Sequence, residues 1–222
     1  MNRKSADFRR HAISSHVRGT TFDDYFRKTQ NNNTPYLLEE NGQQVDIFSR
    51  LLEDRIIFLS TDIDDYVCNM IKAQLIYLQE DSDEDIKIYI DSGGGSVYSG
   101  LGLLDVMEYV KPEIITVNTG LAASMAAVIL CSGTKGKRRA LKRSRTMIHQ
   151  PMTGFGSYAQ ASDMEIEARE INSLKKELYE IISESTGQPY DKVYKDGDRD
   201  YWMTADEAKK YGMIDEIVKN RK

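Results

Sequence analysis

The residue types that could carry out acyl transfer stand at three separate places in this sequence, and the first is Ser124. It lies within VNTGLAASMAAVILCSG, residues 117–133, where a strand-like apolar run passes into a helix-like one. A serine at such a join is presented on a sharp turn, and the N–H of the next residue, Met125, can stabilise an oxyanion. The pattern is not G-x-S-x-G, however. Taken alone, this stretch favours a serine that simply caps a helix.

A general base for such a serine would have to be His149. The chain contains only three histidines, and the other two, His11 and His16, lie in the polar N-terminal segment. His149 ends the apolar run RTMIH, which predicts a position at a sheet edge, where sites gather. By itself this histidine also fits a structural role.

An acidic segment supplies the carboxylates that could orient a histidine. In DGDRDYWM, residues 196–203, Asp196, Asp198 and Asp200 alternate with other residues. The ligand spacing differs from that of an EF-hand loop, so we predict no metal site here. A carboxylate in this segment could instead fix the imidazole tautomer and stabilise imidazolium.

Three consecutive glycines, residues 93–95, follow the predicted strand IKIYID and precede a helical pattern. Such a loop exposes several N–H groups, which could bind phosphate or a tetrahedral oxyanion. A P-loop would need a following Lys-Ser/Thr, and a dinucleotide fingerprint would need G-x-G-x-x-G. The sequence contains neither pattern here.

The elements that must position these residues alternate between strand and helix. Apolar runs at 55–60, 86–91 and 113–120 predict strands, and helical spacing fills most of the gaps between them. KRRALK, residues 137–142, and RTMIHQP, residues 145–151, are two more short strand candidates. This order favours an α/β fold with parallel pairing. In the helix predicted from about residue 61, Thr61 and Asp62 are the cap candidates, and Val67, Ile71, Leu75 and Leu78 are expected on its buried face.

One predicted helix, about 158–186, is unusually long and ends at Gly187. At about 1.5 Å per residue it would extend past the edge of a domain of this size. Its apolar face either lies across the core or forms a subunit contact. That face comprises Ile171, Leu174, Leu178, Ile181 and Ile182.

Bulk composition is that of an ordinary globular protein. The chain has 222 residues, 40% hydrophobic and 29% charged, with a net charge of −5. We therefore expect no nucleic-acid partner, no membrane span and no secretory signal. Cys68 and Cys131 lie in apolar helical patterns and are expected to be buried free thiols rather than a pair. Residues 1–34 are polar and predict a mobile tail or a removable leader before a domain at 35–222.

Taken together, these segments resemble the proteolytic subunits of the Clp protease, the ClpP family. The segments DSGGGSVYSG, GLAASMAA, SRTMIHQP and DRDYWMTADEAKKYGMID follow one another in the order and spacing of that family. SRLLEDRIIFLS stands near the start of the likeness, which extends from about Pro35 to Val218. Four coinciding motifs make the resemblance highly specific.

The resemblance implies roles for individual residues. Ser124 matches the nucleophile, His149 the base and Asp200 the orienting carboxylate, while Gly95 and Met125 match the N–H donors of the oxyanion hole. The reaction implied is serine endopeptidase hydrolysis of peptide bonds through an acyl-enzyme, without a cofactor.

The resemblance also implies a fold and partners. The expected fold is a crotonase/ClpP-like spiral of β-β-α units whose long projecting handle helix, about 158–186, lies where rings meet. Two stacked seven-membered rings would enclose a chamber that receives unfolded polypeptide from an AAA+ ATPase. Tyr89 and Tyr109 match pocket residues for that ATPase, and QPMTGFGS, residues 150–157, matches the segment that pairs with substrate. A bacterial cytoplasmic location is expected.

Three features depart from the family pattern. Gly93 stands where the family has a proline, which predicts a looser oxyanion loop. KGKRRALKRSR, residues 135–145, carries seven basic residues and has Lys142 in place of a Leu-Pro; a solvated or ion-paired surface is favoured over a nucleic-acid patch. Residues 1–34 have no clear counterpart, which suggests a propeptide cleaved by the enzyme itself.

Two other functions are compatible with parts of this pattern. One is a catalytically silent structural subunit of a mixed ring, against which the intact Ser–His–Asp set argues. The other is a crotonase-like acyl-CoA enzyme, which would use the glycine N–H groups but would not need all three side chains.

Overall fold

The computed structural model describes residues 36–38, 44–153 and 160–218, and the chain folds as two units, residues 1–53 and 54–222. The first unit contains the antiparallel strands β1 (Tyr36–Leu38) and β2 (Gln44–Asp46), followed by helix α1 (Ile47–Glu53). The Asp46 carboxylate accepts the Phe48 and Ser49 N–H groups and thereby caps this helix. The predicted tail, residues 1–34, lies outside the described residues.

Within the described part of the second unit, one seven-stranded sheet forms the framework. Strands β3 (Ile56–Leu59), β4 (Ile86–Ser92), β5 (Ile114–Ala123), β6 (Arg139–Leu141) and β9 (Glu216–Val218) pair in that order, and every pair is parallel. The apolar runs predicted as strands therefore form the centre of a parallel sheet. The predicted α/β fold is confirmed.

The long strand β5 divides the sheet into two branches. Its middle pairs with β6, while its last three residues pair with β7 (Arg145–Ile148), which in turn pairs antiparallel with β8 (Tyr201–Thr204). The Asn118 side chain donates to the Arg145 carbonyl at 2.9 Å, where β6 and β7 diverge. In this register Ala123 lies opposite Met147, and Ile148 opposite Tyr201. Residues 124, 149 and 200 thus adjoin neighbouring strand ends.

Helix α2 (Asp65–Asp81) buries Ile71, Leu75 and Leu78 as predicted, with Cys68 in place of the half-buried Val67. Its cap is Asp64, which accepts the Val67 N–H at 2.7 Å, so the prediction of Thr61 or Asp62 is wrong. The chain is still extended before the helix because Ile63 forms a bridge to Gly95.

In the described ranges of the second unit, four shorter helices accompany the sheet. They are α3 (Val97–Tyr109), α4 (Met125–Cys131), α6 (Tyr190–Asp196) and α7 (Ala205–Tyr211). Cys68 and Cys131 are buried free thiols, as predicted.

The long helix α5 (Ala161–Thr186) ends at the left-handed Gly187, as its sequence predicts. Every residue from 161 to 170 is exposed, whereas Leu178, Tyr179 and Ile182 near the other end are buried. The C-terminal half therefore packs on the body of the unit, whereas the N-terminal half is exposed and is tied to the body through Glu170, whose carboxylate accepts from the Tyr98 hydroxyl at 2.9 Å. In the described ranges, no helix is both long and apolar enough to cross a membrane.

Candidate active site

Ser124 occupies a strained backbone position between β5 and α4. Its φ of 56° lies in the left-handed region, which non-glycine residues rarely adopt. The turn is held because the Ser124 N–H donates to the Met147 carbonyl at 2.9 Å. The side chain makes no cap hydrogen bond to the described residues, so the helix-cap interpretation does not account for it.

The hydroxyl of Ser124 instead contacts His149. Ser124 Oγ and His149 Nε2 lie 2.8 Å apart, which is a hydrogen-bond distance. His149 directly follows β7, and β7 is the strand paired with the last residues of β5. Sheet register therefore brings the two side chains together.

Asp200 lies on the far side of the imidazole. Its Oδ1 is 3.5 Å from His149 Nδ1, longer than a good hydrogen bond but close enough for charge stabilisation. The His149 side chain is 13% exposed, and that of Asp200 is 61% exposed. The structure thus places His149 between the other two predicted side chains, and its contact with Asp200 is longer than its contact with Ser124.

The glycine loop packs directly against the Ser124 turn. Gly94 has a φ of +96°, and a Cβ there would lie 2.6 Å from both the Ala123 carbonyl oxygen and Ser124 Cβ. At Gly95, with φ +151°, a Cβ would lie 2.2 Å from the Ile63 carbonyl oxygen. Only glycine fits at these two positions.

Hydrogen bonds on both sides of Gly93 hold this loop. The Ser92 hydroxyl donates to the Thr61 carbonyl at 2.6 Å and accepts the Gly94 N–H at 3.1 Å. Ile63 donates to the Gly94 carbonyl and accepts from Ser96, both at 2.8 Å. The N–H groups of Gly95 and Met125 have no acceptor among the described residues. These two donors, predicted to form an oxyanion hole, are available for one.

An apolar cleft adjoins Ser124 and His149. Its volume is about 10 Å³, and it is lined by aliphatic and methionine side chains from three helices and one strand. They are Val97, Met125, Val128, Ile148, Leu178 and Ile182.

Comparison with known proteins identifies the family. The family model described as Clp protease matches residues 39–221. The chain belongs to the Clp protease family. The ATP-dependent Clp protease proteolytic subunit of Bacteroides fragilis (strain YCH46) is 55% identical over 217 residues, covering 96% of this chain and 98% of that protein. The subunit of the same name from Porphyromonas gingivalis is 57% identical over 205 residues, covering 90% and 91%.

These comparisons decide several predictions. The resemblance, the Clp-type fold and the assignment as a serine protease of this family are confirmed, and the acyl-CoA enzyme alternative is wrong. The family model begins at residue 39, which accords with the expectation that residues 1–34 lack a clear counterpart in the family pattern. The Bacteroides fragilis subunit, matched over 96% of this chain, nevertheless covers most of residues 1–34.

The two tyrosines predicted to face a partner ATPase lie on different elements. Tyr89 in β4 is half-buried and stacks on Phe58, with ring centroids 5.5 Å apart. Tyr109 ends α3 and is 75% exposed. No contact between these two tyrosines is present in the described ranges, so their shared role stays a prediction.

Three of the seven basic residues in segment 135–145 form ion pairs and the other four are exposed, which accords with the favoured interpretation of a solvated or ion-paired surface. Lys137 contacts Asp85 at 2.6 Å and also contacts Glu113, and Arg139 lies 3.3 Å from Glu216.

Arg138 is different because it is buried. Its guanidinium binds both oxygens of Asp215, at 2.9 and 2.6 Å, and donates to the Cys131 and Ser185 carbonyls. It thereby ties the ends of α4 and α5 to the strand β9.

The alternating aspartates do not converge on one point. Asp196 pairs with Lys192 at 2.5 Å, Asp198 lies 3.9 Å from Arg199, and Asp200 faces His149. In the part of the chain that the structure describes, no group of His, Cys, Asp and Glu is placed to hold a metal ion.

The sequence does not identify the residues that line the cleft, or the side chains that bind the segment before Asp200, which are Tyr179 and Gln150. Leu178 and Ile182 were expected only as members of an apolar helix face, and Val97 was not singled out. Periodicity identifies a buried face but not which site it adjoins.

Proposed function

We propose that this protease cuts polypeptides through a triad of Ser124, His149 and Asp200. The observation that carries the proposal is the 2.8 Å contact between Ser124 Oγ and His149 Nε2, made from a backbone with φ 56°. A strained turn of this kind presents a nucleophile and persists only where the surroundings hold it.

The two ring nitrogens of His149 have different partners, which determines the direction of proton transfer. Because Nδ1 faces the Asp200 carboxylate, neutral His149 carries its proton there and Nε2 is free to accept the Ser124 proton. Ser124 Oγ then attacks the substrate carbonyl carbon, and Asp200 stabilises the imidazolium that forms.

The oxyanion of the tetrahedral intermediate would be stabilised by the Gly95 and Met125 N–H groups. Both groups lack an acceptor among the described residues, and the loop lies so close that a Cβ at Gly94 would be 3.0 Å from the Met125 nitrogen. Such preformed donors act where charge develops. Removal of one typically costs about 10²–10³ in kcat.

Breakdown and release use the same groups in reverse. His149 returns the proton to the leaving amine, which breaks the peptide bond and leaves an acyl ester on Ser124. Water, deprotonated by His149, then hydrolyses the ester and restores the hydroxyl.

The apolar cleft supports a substrate preference. We propose that an apolar side chain next to the scissile bond, on an extended, unfolded polypeptide, packs against the mouth of this cleft, whose volume of about 10 Å³ is too small to enclose it. The segment 150–157 would add a strand to that substrate; residues 154–157 lie outside the described residues.

We propose an assembly of two stacked seven-membered rings served by an AAA+ unfoldase in the bacterial cytoplasm. The exposed half of α5, which carries Met164 and Ile166 at 48% and 55% exposure, supports a contact between rings. The relatives' name, ATP-dependent Clp protease, and their bacterial sources support the partner and the location. Tyr89 and Tyr109 would contact the unfoldase.

We further propose that residues 1–34 are a propeptide that the assembled enzyme removes. Intact mass of the parent and of Ser124→Ala tests this. The proposal expects a shortened parent chain and a full-length variant, and a full-length parent in active rings would refute it.

Hydrolysis of a fluorogenic peptide with an apolar residue before the scissile bond tests the proposed function. The rings should cleave it, Ser124→Ala rings of equal mass should not, and a peptide with a charged residue at that position should be cleaved more slowly. Rings of the proposed mass that cleave neither peptide would instead fit the catalytically silent subunit.

A further inference from the structure

The Asp200 carboxylate is exposed, so few packing contacts fix it. The position of this carboxylate therefore depends on the position of the Asp200 backbone. Its contact with His149 at 3.5 Å is the only partner of this carboxylate among the described residues. Asp200 directly precedes β8 and follows the short segment 197–199. What holds that segment therefore decides where the carboxylate lies.

Two successive carbonyls of this segment are held by side chains from other elements. The Tyr179 hydroxyl donates to the Gly197 carbonyl at 2.5 Å, and Gln150 Nε2 donates to the Asp198 carbonyl at 2.8 Å. Tyr179 belongs to α5, and Gln150 is the residue after His149. The Asp200 segment is thus tied to the handle helix and to the base itself.

Packing fixes the Tyr179 hydroxyl. The residue is fully buried, and its ring lies so close to Gly197 that a Cβ there would be 2.7–2.9 Å from the ring and hydroxyl. Burial raises the pKa of the Tyr179 hydroxyl above its usual value, so the group keeps its proton and donates.

Gln150 is oriented from the same face of α5. Its Oε1 accepts from Lys175 Nζ at 3.1 Å, and that ammonium lies over the Tyr194 ring, 4.3 Å from its centroid. Lys175 and Tyr179 are four residues apart, so one helical turn supplies both anchors.

We infer that Tyr179 and Gln150 are positioning residues that set the alignment of Asp200 with His149. The inference rests on the proposed function, because it assumes that Asp200 orients the base. Neither residue touches the reacting atoms, so their effect should pass through Asp200. A displacement of about 1 Å in such a group can cost about 100-fold in rate.

Steady-state peptide hydrolysis by full-length assembled rings tests this. Tyr179→Phe and Gln150→Leu should each lower kcat about 10-fold while KM stays within about twofold, since substrate contacts are unchanged. In an Asp200→Asn background either change should lower kcat by less than about twofold, because the path it acts through is already lost.

Tyr194→Phe is the matched control. It removes a hydroxyl from the ring 5.8 Å from Tyr179 but keeps the face under Lys175, so kcat should match the parent. Ring mass is measured for every variant. If Tyr179→Phe fails to assemble, Gln150→Leu, at a half-buried site, decides the result.

The outcomes separate the two proposals. Variants that match Tyr194→Phe, or that lower kcat equally in the Asp200→Asn background, would overturn the inference and leave the proposed function standing. Parent-like hydrolysis by Ser124→Ala would overturn the proposed function instead.

Discussion

His149 Nε2 lies 2.8 Å from Ser124 Oγ although 25 residues separate them. The contact exists because β5 and β7 are parallel neighbours whose ends meet at one edge of the sheet. On the other side of the ring, Asp200 precedes a strand antiparallel to β7. One local arrangement of three strands thus assembles the candidate triad.

Gly94 is the most sensitive position of the loop. Gly94→Ala would place a Cβ 2.6 Å from the Ala123 carbonyl oxygen and from Ser124 Cβ, at a φ unfavourable for alanine. Displacement of the Ser124 turn should lower kcat/KM by about 100-fold or more, measured with a fluorogenic peptide.

Gly93→Ala is the control for that change. A Cβ at Gly93 meets no described atom within 4 Å, and its φ is not in the left-handed region. Activity should stay within about twofold of the parent. Equal losses in both variants would contradict the close packing of Gly94 against Ser124.

Gly93→Pro should stabilise the protein. The Gly93 N–H makes no hydrogen bond to any described residue, and the preceding Ser92 is already extended in β4. Proline would reduce the freedom of the unfolded chain and add about 0.4–1 kcal/mol to the free energy of unfolding.

Denaturant unfolding is measured for Gly93→Pro and Gly93→Ala. The alanine variant shows the effect of replacing glycine, and the difference between the two variants shows the effect of the fixed φ of proline. Proline should stabilise more than alanine and leave peptide hydrolysis unimpaired. A destabilised or inactive proline variant would show that the loop needs a backbone angle that proline cannot adopt.

Asp215→Asn should destabilise the fold strongly. Burial would raise the pKa of the Asp215 carboxyl, but hydrogen bonds from Arg138 outweigh it and hold the pKa below its usual value. Because Arg138 is buried, loss of its counter-charge should cost about 3–5 kcal/mol near pH 7. The exposed neighbour Glu216 pairs with Arg139, and Glu216→Gln should cost less than about 1 kcal/mol.

The pH dependence of Asp215→Asn has a definite sign. A carboxyl whose folded pKa is depressed contributes stability above its unfolded pKa of about 3.9 and loses it as pH falls through the folded value. The difference in the free energy of unfolding between the parent and Asp215→Asn should therefore be largest above about pH 5 and should decrease as the pH falls below that value. Urea unfolding at several pH values measures this; a gap independent of pH would contradict it.

The sequence predicts most strands and helices because their apolar runs and periodicities are strong. It also predicts Ser124, His149 and Asp200 through the four motifs that mark the family. It does not predict the Asp64 cap, because Thr61, Asp62 and Asp64 are all of residue types that cap helices and only the Ile63 bridge excludes the first two.

The anchors of Asp200 are hidden for a different reason. The bond from Tyr179 to Gly197 joins a helix face to a backbone carbonyl 18 residues away, and such a bond leaves no pattern in residue types. The burial of Arg138 among seven basic residues is equally invisible, because only the packing of α4, α5 and β9 distinguishes it.

Intact mass after treatment with a fluorophosphonate probe decides whether Ser124 is the nucleophile. Such probes react with serine hydroxyls that are activated by a base and stabilised by an oxyanion hole. We predict one adduct per parent chain and none on Ser124→Ala when both proteins have the same assembled mass. An unlabelled parent, or an adduct that persists on Ser124→Ala, would contradict the assignment of Ser124.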